Sequence, residues 1–235
     1  MTMKPLAIIT GVGPGTGSAI ARRFHEGGFR VAMLARSEPR LLALAQELPG
    51  AMAVPCDVTD PTKLVEALDR IEQEVGGPPQ VVVHNAVGGA FGSFLQVEPQ
   101  ILERNFQVNV MALLHLARWA TPKMAASGKG ALIVTGNTSS LRGKAQFAGF
   151  APTKAAQRIL AESIAREMGP KGVHVAYVLI DAVIDLAWTR ARSPDKGDDY
   201  FIKPIDIAAE VWHLANQPKS AWSFLAEIRP FGESW

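Results

Sequence analysis

Apolar residues in this chain fall into short continuous runs, separated by longer segments in which they recur every third or fourth position. The runs are LAIIT from Leu6, FRVAMLA from Phe29, AMAVP from Ala51, VVVH from Val81, ALIVTG from Ala131 and HVAYVLI from His174. Rich in β-branched residues and hardly interrupted by polar ones, they have the pattern of strands buried on both faces. Between them, Ile20 and Phe24, then Leu41, Leu44 and Leu48, then Leu64, Leu68, Ile71 and Val75 repeat at helical spacing, with charges on the opposite side. Two longer helices are predicted over 101–124 and 151–168. This alternation predicts an α/β single domain, a doubly wound parallel sheet with helices on both faces, the Rossmann-type arrangement. PPQ after Gly77 reads as a connection into the fourth strand. The stretch from about 187 to 204, which includes SPDKGDD, reads as an irregular, mobile loop on the substrate side.

Composition narrows the function. With 235 residues the chain suits one large domain, and 24 Lys and Arg against 22 Asp and Glu leave a net charge of +2. So small an excess gives no field for nucleic acid or an anionic membrane. No apolar stretch reaches the roughly 20 residues needed to span a bilayer. A single cysteine, Cys56, allows no internal disulfide, and the start MTMKPLAIITGVG enters a strand-like run with no secretory signal. The expectation is a cytoplasmic protein that acts on a small molecule.

The first candidate site follows the first strand. TGVGPGTGSAIARRF places Gly11, Gly15 and Gly17 in a TGxxxGxG pattern that leads into a helix. Such glycines permit a tight turn and let backbone N–H groups approach a pyrophosphate, which the helix N-terminus attracts. Gly11, Gly15, Thr16 and Gly17 form the candidate dinucleotide loop, and Thr10 and Thr16 are expected to stiffen it through local bonds. The second strand ends in Ala35, Arg36 and Ser37, without the acidic residue that would hold ribose hydroxyls and repel a 2′-phosphate. Arg36 and Ser37 therefore point to NADP as cofactor.

TGxxxGxG, CDVTD after the third strand, HNAVGG after the fourth and the segment NFQVNVMALLHLAR together resemble the short-chain dehydrogenase/reductase family, over roughly residues 5 to 180. The resemblance implies that Asp57 and Val58 hold the adenine ring, that the backbone at Asn85 and Ala86 passes the adenosine ribose, and that Asn109 belongs to the catalytic group. It also implies that the two long helices pair across a two-fold axis into a homodimer or homotetramer. The bland readings are that Asp57 caps the helix after Pro61 and that Asn109 is a satisfied buried amide.

Members of that family carry a serine, a tyrosine thirteen residues later and a lysine four further on. The phenol exchanges a proton with the substrate, the lysine lowers its pKa and holds the nicotinamide ribose, and the serine orients the carbonyl. Lys154 matches, but the tyrosine position is Phe150 and the serine position is Asn137. The Pro-Gly pair common after the sixth strand is replaced by LIDAVID, with Asp181 and Asp185. Losing a general acid costs about two to four orders of magnitude where the transition state needs a proton. An iminium, or an alkene whose enolate is protonated by water, escapes that loss. His84, Asp181, Asp185 and Tyr200 are candidate substitute acids. The leading expectation is an NADP(H)-dependent oxidoreductase for a small, largely apolar carbonyl, imine or alkene; the alternative is a catalytically silent dinucleotide-binding sensor or partner. No metal site is assigned.

Overall fold

The structure is a computed structural model and describes residues 4–232. Its order is β1 Leu6–Thr10, α1 Thr16–Glu26, β2 Arg30–Ala35, α2 Glu38–Glu47, β3 Met52–Pro55, α3 Pro61–Val75, β4 Val81–His84 and α4 Pro99–Phe106. After a π-helical turn at Gln107–Met111 come α5 Ala112–Ala126, β5 Gly130–Asn137, α6 Ala151–Met168 and β6 Val173–Ile180. The chain closes with β7 Val183–Ile184, α7 Ala187–Arg192, β8 Phe201–Ile202, α8 Pro204–Ala215 and β9 Leu225–Ile228. Seven strands form one sheet in the order β3-β2-β1-β4-β5-β6-β9, every neighbouring pair parallel.

Both faces of the sheet are buried, as the continuous runs require. Leu6 and Ile8 join Leu64, Leu68 and Leu116 on the face covered by α3, α5 and α6, while Ala7 and Ile9 join Ile20, Phe24 and Val211 on the face covered by α1, α2 and α8. One face or the other takes each successive side chain, so no position in β1 is left for a polar residue except Thr10 at its end. The connections from β1 and β4 leave in opposite directions across the sheet. Between them opens the crevice in which doubly wound folds hold ligands.

Three segments depart from the sequence reading. β9 escaped notice because Leu225 and Glu227 are exposed on an edge strand of only four residues, which erases the buried-run signal. The stretch 187–204 is not irregular throughout: it holds α7, a 3₁₀ turn at Asp198–Tyr200 and β8, which pairs with β7. Charge concealed this order, yet Thr189, Phe201 and Ile202 are buried and Arg190 ties Asp185 to Asp198. The helix expected over 101–124 is helical along its length but interrupted by the π turn. Such a turn re-aims the side chains it carries.

Candidate active site

The glycine loop sits at the crevice between β1 and β4. Gly11 has φ of +71°, and a Cβ there would lie 2.5 Å from the Ala86 backbone, so the end of β4 abuts the loop directly. A Cβ on Gly17 would come within 2.4 Å of the Gly11 carbonyl. Both positions exclude any side chain. Asn85 Nδ2 donates to the Gly11 carbonyl at 2.9 Å, and Thr135 Oγ1 donates to Asn85 Oδ1 at 3.0 Å, which braces the loop against β5.

Thr10 and Thr16 do not stiffen the loop through local bonds. Thr10 Oγ1 reaches across the sheet to His84 Nδ1 at 3.1 Å, because its position at the end of β1 turns it toward β4. The Thr16 hydroxyl is buried at the start of α1 and has no hydrogen-bond partner among the described residues. An orphaned hydroxyl beside a side-chain-free loop and a helix N-terminus fits a pyrophosphate. Leu186, at the start of α7, closes over Gly15: a Cβ on that glycine would lie 2.7 Å from Leu186 Cδ2.

Arg36 is exposed beyond the end of β2, and Ser37 opens α2 without a side-chain cap bond. Arg36 is close enough to Asp57 to help hold its carboxyl below the usual range; burial opposes this, but the N–H and hydroxyl of Thr59, both donating to Asp57 Oδ1, outweigh it. Asp57 therefore shapes its own turn, and it is Asp60 that caps α3 by accepting from Lys63 N at 3.0 Å. Val58 is buried beside it. Arg36, Ser37, Asp57 and Val58 thus belong to the C-terminal ends of β2 and β3, on the same rim of the sheet as the glycine loop.

On the other side of the crevice the π turn places Asn109 fully inside. Its side chain exchanges two bonds with the Gly88 backbone, at 3.0 and 2.7 Å, and donates to Thr153 Oγ1 at 2.8 Å. Lys154, next in sequence, is 3% exposed. Its Nζ donates to the Thr135 carbonyl at 3.2 Å and to Gln157 Oε1 at 2.9 Å, and Gln157 Nε2 donates to the Asn109 carbonyl at 2.8 Å. Burial pushes the Lys154 amine down to about 7, and no carboxylate among the described residues pairs with it. Gln157 was not visible as a site residue in the sequence. Three positions after Lys154, it reads as any polar residue on a helix, and nothing short of the packing reveals that it is fully buried.

Phe150 stands at the start of α6, 6% exposed, with its ring centroid 5.9 Å from both Phe91 and Lys154 Nζ. Phe147 packs edge-on against Phe91 at 5.1 Å. Asn137 Oδ1 accepts from Ser139 N at 3.2 Å and so caps the turn after β5, leaving its amide nitrogen without a partner among the described residues. It can donate a hydrogen bond but has no proton to transfer.

The candidate substitute acids are engaged elsewhere. His84 is fully enclosed, and burial together with the nearby Lys154 charge pushes it down to about 3. Asp185 forms a two-pronged pair with Arg190 at 2.7 and 2.9 Å, which holds its carboxyl below the usual range. Asp181 pairs with Arg229 at 3.4 Å. Tyr200 packs against Phe201 and under Lys196.

Residues 5–191 match the family model for short chain dehydrogenases. A D-erythrulose reductase of Gallus gallus is 34% identical over 89% of this chain and 85% of its own length. Among solved structures, a short-chain dehydrogenase from Rhodopseudomonas palustris superposes with a TM-score of 0.83 at 29% identity, covering 97% of this chain and 99% of the other. A metagenomic short-chain oxidoreductase in complex with NADP gives 0.83 at 28% identity, over 96% and 97%.

Proposed function

The chain belongs to the short chain dehydrogenase family, and from that premise we propose that it is an NADP(H)-dependent oxidoreductase for a small, largely apolar carbonyl, imine or alkene. Gly11, Gly15, Thr16 and Gly17 would take the pyrophosphate, Arg36 and Ser37 the 2′-phosphate, Asp57 and Val58 the adenine, and the backbone at Asn85 and Ala86 the adenosine ribose. Lys154 would hold the nicotinamide ribose. NADP(H), when bound, supplies or accepts the hydride.

The single observation that carries this reading is Lys154 itself. Burying an amine with no carboxylate partner is costly, and such groups cluster where chemistry uses them. Here the lysine lies buried on α6 beside Thr135, and Gln157 ties it to the backbone of Asn109, which supports that role.

The chain's own groups set the substrate class. The Asn137 amide would orient a carbonyl oxygen or a neutral imine nitrogen, the buried Phe150 ring offers an apolar contact, and no hydroxyl stands at residue 150. A reaction that needs no proton at the moment of hydride transfer suits this site best, so an iminium or an activated alkene is favoured over a simple ketone. That the Gallus gallus relative is named a D-erythrulose reductase supports the reducing direction.

The test is NADPH oxidation under single-turnover conditions against matched panels of ketones, cyclic iminium ions and activated alkenes. Turnover of iminium or alkene with little for ketones supports the reading. Tight NADPH binding without oxidation by any class would mark a silent binding protein instead.

A further inference from the structure

β5 runs past one of its neighbours in the sheet. β4 ends at His84, which pairs with Val134, so Thr135 is the first β5 residue beyond the β4 ladder, while on its other side it still pairs with Val178 of β6. Its hydroxyl continues the join that the backbone ladder has given up, donating to Asn85 Oδ1 at 3.0 Å just past the end of β4. Asn85 Nδ2 donates in turn to the Gly11 carbonyl at 2.9 Å, inside the glycine loop. The Thr135 carbonyl accepts from Lys154 Nζ at 3.2 Å. One buried residue therefore bonds toward the candidate pyrophosphate loop with its side chain and to the buried amine with its main chain.

The surroundings of Thr135 leave it little freedom. A Cβ on Gly136 would overlap the Tyr177 hydroxyl, so β6 presses on β5 at the very next residue. That hydroxyl meets Gln157 Oε1 at 3.4 Å, the same oxygen that accepts from Lys154, which closes a ring of contacts around the amine. Of the two acceptors that Lys154 has, the Gln157 amide can turn about its own side-chain bonds, but the Thr135 carbonyl is fixed by its strand. The titratable groups at the amine are His84 from β4 and, through Gln157, Tyr177 from β6. The π turn and the turn after β5 carry no charged residue, and α6 itself presents the Phe150 ring.

We infer that Thr135 is a positioning residue that holds the glycine loop and the Lys154 amine at a fixed separation, so that the pyrophosphate and the nicotinamide ribose of one dinucleotide are met together. This rests on the cofactor reading above. Without the hydroxyl, Asn85 Oδ1 loses that donor and this end of β5 is tied into the sheet from β6 alone, so the carbonyl offered to Lys154 is less firmly placed. Serine at this position keeps both bonds, whereas valine, of nearly the same shape, keeps only the carbonyl.

Thr135→Val and Thr135→Ser in the full chain test the inference through two readings: carbon NMR titration of the Lys154 side chain without cofactor, and NADPH affinity by fluorescence. Thr135→Val should move the Lys154 titration to lower pH, since a looser acceptor favours the charged form less, and should weaken NADPH by about three- to tenfold, the net worth of one hydrogen bond. Thr135→Ser should match the parent in both. Asn85→Ala cuts the same path at the loop and should shift Lys154 in the same direction, which keeps the test open where Thr135→Val does not fold. An unmoved Lys154 titration in Thr135→Val or in Asn85→Ala overturns the inference and leaves Thr135 a brace of the loop alone. A shifted titration with unchanged NADPH affinity overturns it as well, because the two ends are then independent. So does a serine variant that behaves as valine does, since the hydroxyl is then not the cause. A parent that binds no NADPH removes the cofactor reading itself, whatever the titrations show, and the inference with it.

Discussion

The Gln157 side-chain oxygen stands 2.9 Å from the Lys154 nitrogen, and both residues are buried on the inner face of α6. The amide also accepts from the Tyr177 hydroxyl at 3.4 Å and donates to the Asn109 carbonyl, so one side chain joins α6, the π turn and β6. Gln157→Leu should destabilise the protein by about 1–3 kcal/mol, because the amine and the Asn109 carbonyl each lose a partner that water cannot replace. It should also drive the Lys154 amine further below its ordinary value, since the lost oxygen favours the charged form, whereas Gln157→Glu should raise it. Carbon NMR of the Lys154 side chain across pH, with urea unfolding of each variant, reads both effects. An unmoved Lys154 titration in both variants would show that Gln157 only fills space.

Lys154 also makes stability depend on pH. Burial lowers its pKa from 10.5 to about 7, so below 7 the folded and unfolded states both carry the proton and the cost of burying the charge is felt in full. Between those values the unfolded chain binds the proton that the folded one lacks. Stability should therefore rise with pH across this window, by up to about 1.4 kcal/mol per pH unit, and level off below 7, where both states carry the proton. Lys154→Met removes this contribution. Urea unfolding of parent and variant from about pH 6 to about pH 10 should show the difference growing toward alkaline pH in the parent's favour.

For the cofactor, NADPH should bind more tightly than NADH. Arg36→Ala should weaken NADPH alone, by about 1–3 kcal/mol for a lost charge-assisted contact. Fluorescence titrations of both cofactors at one ionic strength decide it, and equal affinities in the parent would remove Arg36 from the site.

Much of this was open to reading in the chain itself. β1 to β6 were legible because strands buried on two faces leave continuous apolar runs, and the glycine loop because steric contact with Ala86 and with the loop's own carbonyl demands those glycines. The order inside 187–204 was hidden, since its anchors are the two-residue pair Phe201 and Ile202 and an arginine whose partners are remote in the pattern. Asp57 was placed near the right turn, but whether it or Asp60 capped α3 depends on backbone geometry that residue type does not encode. Gln157 was illegible for a different reason: its significance lies wholly in what packs against it.

Assembly is a separate expectation. Ile101 on α4 and Ile159 on α6 are exposed apolar side chains on the helices expected to pair across a two-fold axis. Light scattering at micromolar concentration should give a homodimer or homotetramer. Ile159→Asp should shift the mass downward by placing a charge in that interface. A monomeric parent would leave those faces unpaired in solution.

The last expectation concerns residue 150. A tyrosine there would carry its hydroxyl on the ring whose centroid already lies 5.9 Å from the Lys154 nitrogen, and the positive form of that amine favours a phenolate. Phe150→Tyr should therefore gain or increase reduction of simple ketones, where a proton must arrive in the transition state. Asn137 limits the gain, because its oxygen is committed to the Ser139 N–H and its amide cannot exchange a proton. Phe150→Tyr with Asn137→Ser should exceed either change alone, a coupling expected of two groups that serve one reacting oxygen. Lys154→Ala should weaken NADPH binding and remove turnover in every background. Single-turnover hydride transfer to a ketone panel, compared among the parent, the two single variants and the double variant with NADPH affinity and folding checked in each, reads the outcome. A double variant no faster than the parent, with cofactor binding intact, would mean that the aromatic packing of Phe91 against residue 150 keeps the hydroxyl from the substrate, and that the chain's chemistry is committed to acceptors that need no acid.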